Sequence, residues 1–367
     1  MIIHAESKEI DALRTTNILP QTSFWARVKN EQGFIPSGFQ LSVSKDLIDP
    51  IDHENKFISD DLLIFYKPIN SSQCFAYVPY GPKLEPEFEN HGVFLEELSE
   101  VLRPHLPSNC IFIRYDLLWE NQWAHEDDYF DHNGNWLGPP PVQTQEFRLN
   151  FNTNNWNLRK SPGDILPKNT FFLNLKLDEN ELLYRMRYNT RYNIRKALRE
   201  GVRIQEYGME NLDVWYKLYC ETAIRNNMVM QEKEYFASLL TNYNKYENDV
   251  NVHLLMADLD DEILASMFLV LSNKRGIYLF GASSSDNRQS MASYALQWES
   301  IKRAKNNGCL EYDMFGCAPN LNRSHPLYGV HLYKKGFGGR LFHRMGCWDY
   351  PFLKNDYDLM IAQEMNN

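Results

Sequence analysis

A basic stretch between positions 182 and 203 stands out in a chain that is otherwise acidic. The 367-residue sequence has a formal net charge of -10, yet this stretch contains a single acid, Glu200. Its basic residues are Arg185, Arg187, Arg191, Arg195, Lys196, Arg199 and Arg203. A local basic cluster in an acidic protein predicts a specific anionic partner, because general affinity for polyanions would favour a basic whole.

The spacing of these residues predicts one amphipathic helix over about 179–200. Four of the arginines, from Arg187 to Arg199, recur every fourth residue and therefore climb one face of the helix. Asp178 and Glu181 have the spacing of a capping box, and Gly201 is a suitable stop. A solvated helix face is the alternative, but no glutamates stand four residues away to pair with the arginines.

The sequence in and around this stretch resembles a signature of the FemABX family. These proteins are aminoacyltransferases that add amino acids from aminoacyl-tRNA to the peptide stem of peptidoglycan precursors. The first block is RYNTRYNIR at 187–195, followed by Ala197 and Gly201–Val202. The second block comprises Gln297–Glu299, Ala304–Lys305, Tyr312–Asp313, Gly316 and Tyr333–Gly338. With Ser23–Trp25 and Lys29, the resemblance covers nearly the whole chain.

Aminoacyl transfer to an amine needs a base for the amine, alignment of the two substrates and stabilisation of the oxyanion. The resemblance implies that Asp116 is the base, because it stands in the family's Arg-x-Asp sequence, here Arg114–Asp116. Asp116 also ends a predicted strand, where open α/β sheets present functional side chains. It could instead cap a loop or pair with Arg114. Asp313 occupies the matching position in the second half of the chain.

Lys29, Arg191 and Arg195 are the predicted binding residues for an anionic acceptor. The resemblance implies that the diphosphate of a nucleotide-linked muramyl peptide is held by a lysine in the first helix and an arginine in the second domain. Lys29 matches the lysine by position, and Arg191 is the choice for the arginine. Arginine recognises such groups through paired hydrogen bonds. An ordinary surface lysine is the alternative for Lys29.

Tyr333 and Lys334 are predicted at the reacting end of the donor. The resemblance implies a Phe–Lys pair here, and this chain has Tyr333 in place of the phenylalanine. The Lys334 ammonium can stabilise the oxyanion or the departing ribose oxygen, and Tyr333 can stack on a sugar or base. We expect an extended, turn-rich stretch in which Lys335 points away from Lys334. A core position for Tyr333 and a solvated turn for Lys334 are the alternatives.

Two copies of one α/β unit are predicted to position these residues, each with three strands, a helix and a strand. The first copy is predicted at 34–43, 62–66, 74–78, 94–102 and 110–117, and the second at 252–257, 263–271, 277–282, 292–306 and 309–315. This order matches an acetyltransferase-like (GNAT) fold. The resemblance implies an α/β (α+β) protein of two tandem GNAT-like domains with a substrate groove between them. The first domain is predicted at 1–160, completed by 340–367, and the second at 161–339.

No cofactor is predicted for this chain. Acetyltransferases of this fold hold the pyrophosphate of coenzyme A with a glycine-rich turn at a helix start, but Ser283 to Ser290 contains no glycine. The resemblance implies aminoacyl-tRNA as the acyl donor instead. It implies a UDP-MurNAc-peptide or a lipid-linked precursor as the acceptor.

Composition and motifs exclude several other classes of protein. No apolar run approaches the ~20 residues of a membrane-spanning helix, and the N-terminus lacks the pattern of a signal peptide. We therefore expect a cytoplasmic protein, and a monomer. The six cysteines form no CxxC pair, as expected of reduced thiols, and the ten histidines show no ligand spacing, so no metal is predicted.

Two other functions stay open at this stage. The first is an N-acyltransferase of the same fold that acts on another amine or a polysaccharide precursor with a different acyl donor. The second is a non-catalytic binder of the precursor or of tRNA. The presence of both Asp116 and Lys334 favours an enzyme. A DNA-binding protein is excluded by the net charge and by the absence of a recognition-helix motif.

Overall fold

The computed structural model describes residues 3–45, 48, 56–245 and 250–366. The chain divides into two units. The first comprises Met1–Arg14, Pro20–Lys168 and His343–Asn367, and the second comprises Thr15–Leu19 and Asn169–Phe342. Each unit has a mixed sheet covered by helices, which confirms the predicted α/β class.

The sheet of the first unit is built from strands in which buried and more exposed residues alternate, as Phe39, Leu41 and Val43 show. Its elements are β1 Ile3–Lys8, α1 Ser23–Asn30, β2 Ile35–Ser44, β3 Phe57–Pro68, β4 Cys74–Pro79, α2 His91–Leu102, β5 Cys110–Glu120, α3 Val142–Asn150 and β6 Arg159–Lys160. β1 to β4 pair antiparallel in order, and β4 pairs parallel with β5. A parallel pair needs a crossover connection, and α2 supplies it.

The end of the chain completes this sheet through β13 Arg340–Pro351 and α10 Lys354–Asn366. β13 pairs antiparallel with β5, so that Cys347 lies opposite Asp116. The buried Arg114 guanidinium lies 2.7 Å from Asp349 and 2.8 Å from Glu364, and thereby joins α10 to the sheet. Arg114 thus has carboxylate partners other than Asp116, so the pairing considered from the sequence does not form.

The second unit repeats the central order of the first. Its elements are β7 Asn169–Asn174, α4 Glu179–Arg185, α5 Tyr188–Arg199, β8 Arg203–Tyr207, α6 Leu212–Arg225, α7 Lys233–Lys245, β9 Val250–Leu259, β10 Glu262–Ser272, β11 Arg275–Ser283, α8 Ala292–Asn306, β12 Glu311–Asp313 and α9 Tyr328–Lys335. β9, β10 and β11 pair antiparallel, and β11 pairs parallel with β12.

A hydrogen bond between the last strand and the crossover helix also recurs in both units. The Tyr115 hydroxyl lies 2.9 Å from Ser99 of α2, and the Tyr312 hydroxyl lies 2.8 Å from Ser300 of α8. In each unit this tyrosine directly precedes an aspartate, Asp116 in the first and Asp313 in the second. We call these two residues the Tyr–Asp pair of the unit. The repeat predicted from the sequence therefore extends to side-chain contacts.

The single helix predicted over 179–200 is wrong at its centre. Met186 and Arg187 have extended backbone, with ψ of 151° and 149°, so α4 and α5 are separate helices. The cause is tertiary: the Met186 side chain is buried in the core, and the Arg187 N–H donates to the Gly336 carbonyl at 2.9 Å. The capping box of Asp178 and Glu181 is confirmed.

The extended stretch predicted around Lys334 is also wrong, because residues 328–335 form the helix α9. The glycines that indicated a turn lie immediately after this helix. Gly338 has φ of +81°, and a side chain there would meet the Arg185 carbonyl at 2.5 Å. Glycine is therefore required at this position for a close approach between two backbones.

Candidate active site

Asp116 lies in β5 with a fully buried side chain, at 0% exposure. Its Oδ2 accepts hydrogen bonds from the Tyr77 hydroxyl at 3.0 Å and from the Leu166 N–H at 2.9 Å. Its Oδ1 is buried and has no N–H or O–H donor among the residues that the structure describes. The Cys347 thiol also hydrogen-bonds to this carboxyl group, but a thiol is a weak donor, so the carboxylate can still receive a proton.

The surroundings of Asp116 favour its protonated form. Burial raises the pKa of Asp116 from 3.8 to about 6, and the negative charge of Asp164 raises it further, while the Leu166 N–H opposes the rise. Asp164 itself accepts the Cys347 N–H at 2.8 Å and lies 3.5 Å from the Lys160 ammonium. An acid with a pKa near neutrality can take up and release protons at physiological pH.

Lys29 lies in the last turn of α1, half-buried among aromatic rings. Its ammonium is 5.3 Å from the centre of the Trp25 ring and 5.6 Å from that of Phe34. It also donates to Gln32 Oε1 at 2.8 Å. Lys67 approaches the same Phe34 ring at 5.7 Å. Burial, and then the positive charge of Lys67, lower the pKa of Lys29 from 10.5 to about 8.

The position of α1, and with it that of Lys29, is set by a buried glutamine just before the helix. The Gln21 amide donates to the carbonyls of Leu63 and Pro79 at 3.2 and 2.7 Å, and its Oε1 accepts the Leu63 N–H at 2.8 Å. Gln21 thereby bridges β3 and β4. The Thr22 side chain then caps α1 by accepting the Trp25 N–H at 3.1 Å.

Arg191 has a structural task in the break between α4 and α5. Its Nη1 donates to the carbonyls of Leu183 and Tyr184, at 3.3 and 3.1 Å, and to that of Met186. These carbonyls end α4 and have no further helix to bond to. Arg195, one turn farther along α5, has an exposed side chain. The two arginines predicted as equivalent anchors therefore differ in their surroundings.

We expect Arg191→Ala to lower the free energy of unfolding by about 1–3 kcal/mol, because the carbonyls at the end of α4 lose their shared donor. Arg195→Ala is the matched control on the same helix and should change stability by less than about 0.5 kcal/mol. Chemical denaturation measures both. Equal stabilities of the two variants would show that the capping contacts of Arg191 contribute little.

Lys334 is buried on α9, where its ammonium reaches backbone oxygens. Nζ donates to the Gly316 carbonyl at 2.7 Å and to that of Phe315 at 3.2 Å, and it lies 5.1 Å from the centre of the Tyr278 ring. Burial lowers the pKa of Lys334 from 10.5 to about 8, although the charge of Asp313 counteracts this. Lys334 is therefore a buried cation beside the Tyr–Asp pair of the second unit.

Tyr333 packs into the core of the second unit. Its hydroxyl donates to the Ser293 carbonyl at 2.9 Å, and its ring lies 5.1 Å from that of Tyr294 and 5.2 Å from that of Phe337. These contacts occupy both the ring and the hydroxyl. They agree with the core position considered from the sequence, and the role of Tyr333 in substrate binding stays a prediction.

The predicted site residues fall into both units. Asp116 and Lys29 belong to the first, and Arg191, Arg195, Tyr333 and Lys334 belong to the second. Within the second unit, the bond from Arg187 to Gly336 brings the start of α5 next to the end of α9. The basic stretch and Lys334 are therefore neighbours, which their distance in sequence does not show.

Lys67 and Tyr77 are further members of these sites that sequence reasoning missed. Lys67 could have been found from the β3 pattern, because it comes two residues after a run of four buried residues and begins the exposed end of the strand. Tyr77 could have been found by alternation, because it lies two residues before Pro79, the partner of Asp116 across β4 and β5. Cys347 carries no such signal, since it comes from β13, far along the chain.

Three further observations concern metal sites, cysteines and membrane-spanning helices. No three His, Cys, Asp or Glu side chains within residues 3–45, 48, 56–245 and 250–366 lie close enough to hold a metal ion. The six cysteines are free thiols. None of the described helices has the length and apolar character needed to cross a membrane.

Comparison with known families shows a match along most of the chain. The FemAB family model matches residues 14–263 and 251–363. The crystal structure of FemX is similar in fold: it has a TM-score of 0.71 and 15% sequence identity, and the alignment covers 97% of this chain and 100% of that one. At this identity the structural likeness concerns the fold alone.

Curated relatives match over a shorter region. The lipid II:glycine glycyltransferase of Staphylococcus haemolyticus (strain JCSC1435) is 30% identical over 97 residues, which are 26% of this chain and 23% of that protein. The protein of the same name from Staphylococcus aureus (strain COL) is 28% identical over 97 residues, with the same coverage. The matched region is thus about a quarter of each relative.

Proposed function

The chain belongs to the FemAB family, and on that premise we propose that it is an aminoacyltransferase. It moves an amino acid from aminoacyl-tRNA to the side-chain amine of the stem peptide in a peptidoglycan precursor, and so begins or extends an interpeptide bridge. The acceptor is nucleotide-linked or lipid-linked, and the reaction takes place in the cytoplasm, where charged tRNA is available. Because the relatives are named lipid II:glycine glycyltransferase, glycine and a lipid-linked acceptor are the first combination to test.

The observation that carries this proposal is the buried Asp116 carboxyl, with an oxygen that has no N–H or O–H donor in the described chain and a pKa raised to about 6. An acceptor amine must lose a proton as it attacks the aminoacyl ester, and a carboxylate of this pKa can receive it at neutral pH. Because the Asp116 side chain is buried, the proton of the amine reaches it through a group that touches it, and the Tyr77 hydroxyl, which donates to Oδ2, is that group.

We assign to Lys334 the stabilisation of the negative charge that develops on the aminoacyl donor. Attack on the ester carbonyl creates an oxyanion, and a desolvated ammonium stabilises such charge more strongly than a solvated one. The Gly316 and Phe315 carbonyls hold the ammonium in place before the substrate arrives. Preorganisation of this kind removes the cost of orienting the group during the reaction.

We assign to Lys29, together with its neighbour Lys67, the binding of the anionic part of the acceptor. Two ammonium groups approach the Phe34 ring, and the positive charge of Lys67 disfavours the charged form of Lys29. A diphosphate placed between them would relieve that repulsion. Arg195, with its exposed side chain, is better suited to a ligand than Arg191, because the Arg191 Nη1 already caps α4.

We expect Lys29→Met to weaken binding of a nucleotide-linked muramyl peptide by about 1.5–3 kcal/mol, as for a charged hydrogen bond. Methionine keeps the apolar stem that packs on the aromatic rings. Because an anion favours charged Lys29, affinity in the native protein should fall as the pH rises through about 8. Calorimetry at pH 7 and 9 measures both effects.

The matched control for Lys29 is Lys83→Met, since Lys83 is an exposed lysine of the same unit, 3.4 Å from Asp60. It should leave the affinity and its pH dependence unchanged. An Lys29→Met variant that binds as tightly as the native protein at pH 7 would remove Lys29 from the acceptor site.

The deciding experiment incubates the purified protein with a mixture of charged tRNAs and either nucleotide-linked or lipid-linked muramyl pentapeptide. Mass spectrometry then shows whether a residue has been added, which residue it is, and on which acceptor. Ribonuclease treatment of the tRNA is the control, and it should abolish the added mass. Binding of the acceptor without transfer from any charged tRNA would contradict the enzyme and support a non-catalytic binder.

A further inference from the structure

The turn that follows β12 in the second unit carries the two carbonyls that hold the Lys334 ammonium, those of Phe315 and Gly316. Phe315 has φ of +58°, in the left-handed region that an aromatic residue rarely adopts. Backbone strain of this kind persists only where surrounding contacts hold it. The contacts that fix this turn therefore also determine where its two carbonyls lie.

Asp313, the last residue of β12, contacts the turn directly. Its side chain is buried, and its Oδ1 accepts the Phe315 N–H at 2.8 Å. The same oxygen accepts a hydrogen bond from the hydroxyl of Thr170, a buried residue of β7. Because both donors converge on one carboxylate oxygen, Thr170 fixes the orientation of the Asp313 side chain, and Asp313 fixes the backbone of Phe315.

Hydrogen bonds to β7 and to α9 hold the two ends of the turn. At its start, the Met314 N–H donates to the Phe171 carbonyl of β7 at 2.9 Å. At its far end, the Ala318 carbonyl lies 2.8 Å from His331 Nδ1, one turn before Lys334 on α9, so this nitrogen carries the hydrogen and donates it. The turn is therefore held between β7 and the helix that carries Lys334.

An ammonium group has three N–H donors. In the part of the chain that the structure describes, Lys334 directs two of them to the Phe315 and Gly316 carbonyls, which leaves the third for a substrate oxygen. We propose that Asp313 and Thr170 are positioning residues, which fix the turn whose carbonyls aim the Lys334 ammonium at the oxygen of the reacting ester. The catalytic consequence rests on the proposed function, whereas the positioning is a property of the chain without substrate.

Asp313 and Asp116 match each other in the repeat, but their surroundings differ. Asp313 Oδ1 accepts a hydrogen bond from a hydroxyl and another from a backbone N–H. Asp116 Oδ1 has no N–H or O–H donor among the described residues. Hydrogen bonds to a carboxylate favour its charged form and make it a weaker base. The second unit therefore uses its aspartate to hold a turn, and the proton acceptor stays in the first unit.

The titration of Lys334 reports whether the turn holds its ammonium. Burial lowers the pKa of Lys334 to about 8, while the Cys317 thiol of the turn and Asp313 of β12 counteract this, and the Tyr278 ring of β11 lies 5.1 Å away. The two carbonyls favour the charged form of the lysine, because they accept its N–H groups. A turn that loosens should therefore lower the pKa of Lys334 further, even when the charge of Asp313 is kept.

The first experiment is NMR of the full chain with ¹³Cε-labelled lysine and no substrate, in which Lys334→Met assigns the signal. Thr170→Val removes the hydroxyl and keeps the shape, and we expect the Lys334 titration midpoint to fall by roughly one pH unit. Thr170→Ser keeps the hydroxyl and should retain the native midpoint. Thr222→Val is the matched control, because it removes another hydroxyl of the second unit, which donates to the Ser283 carbonyl at 3.1 Å. It should leave the midpoint unchanged.

The second experiment measures transfer kinetics at pH 7. Thr170→Val should lower kcat roughly ten-fold through misplacement of the ammonium, with KM for the muramyl peptide unchanged. Asp313→Asn keeps an oxygen that can accept both hydrogen bonds and should lose less than about ten-fold. A base role for Asp313 would instead give a loss of about 10²-fold or more in Asp313→Asn and a native rate in Thr170→Val.

The two experiments separate this proposal from the proposed function. An unchanged Lys334 midpoint in Thr170→Val would overturn the positioning, whatever the rate of transfer. A lowered midpoint in Thr170→Val, restored in Thr170→Ser, would support the positioning even if the native chain transferred no amino acid. In that case the proposed function alone would fail.

Discussion

Asp116→Asn is expected to lower the rate of aminoacyl transfer roughly 10²–10⁴-fold, the usual contribution of a general base. Asparagine keeps the shape of the side chain and its contacts with Tyr77 and Leu166 but cannot accept a proton. Single-turnover transfer from charged tRNA, followed by mass spectrometry, measures the rate. Asp313→Asn is the matched substitution in the second unit. If that variant loses activity while Asp116→Asn retains it, the base lies in the second unit.

The pH dependence of Asp116→Asn separates loss of a base from loss of structure. The native rate should rise with pH through about 6 as Asp116 loses its proton, and the variant should lack this rise. The free energy of unfolding changes with pH in the direction opposite to the transfer rate. Because the pKa of Asp116 is higher in the folded chain than its ordinary 3.8, burial of the charge costs folded-state stability as the pH rises from about 4 to 6. Asp116→Asn should therefore be no less stable than the native protein at pH 7.

Lys334→Ala is expected to lower the transfer rate by about 10²-fold or more, because the oxyanion loses a preorganised cation. Affinity for the muramyl peptide should change little, since that ligand is assigned to Lys29. With the pKa of Lys334 lowered to about 8, the native rate should also fall as the pH rises above that value and the ammonium becomes neutral. Steady-state kinetics between pH 6 and 9 measure this fall in rate.

Two controls show whether Lys334 acts through its charge. Lys334→Met keeps much of the apolar stem of the side chain. If this variant folds normally and is inactive, the loss of activity is due to the missing ammonium group. Lys335→Ala should have a much smaller effect, because Lys335 is more exposed and its Nζ has no hydrogen bond in the described chain. If Lys335→Ala is the more damaging change, the catalytic lysine has been misassigned by one residue. Full activity in both alanine variants would remove α9 from the chemistry.

Much of the regular structure followed from short-range patterns. α8 begins and ends where the sequence predicted, and the strands of both repeats lie within a few residues of their predicted positions. At 21–29, Phe24, Trp25 and Val28 have the spacing of one face of a short amphipathic helix, and in α1 all three are buried. β1 was missed because Ile3–Lys8 alternates only weakly, and its pairing with β2 determines its conformation.

The sequence predicted which residues form the candidate site, but it did not predict their burial or their pKa values. Resemblance to a family indicated Asp116 and Lys334, and the predicted repeat indicated that Asp116 stands at the end of a strand. Nothing local showed that each side chain is buried, or that burial shifts its pKa toward neutrality. Burial depends on the elements packed above a strand or helix, and these come from distant parts of the chain.

The sequence alone determined the order of elements in the two repeats, the cap at Asp178 and the local excess of positive charge, because each depends on residues a few positions apart. Only the tertiary structure decided that α4 and α5 are separate helices, since the break is held by Gly336, far along the chain. Through that break it allowed Arg191 to cap α4, and it placed Cys347 opposite Asp116. These outcomes rest on contacts between distant segments, whose free energies exceed the local preferences that sequence patterns report.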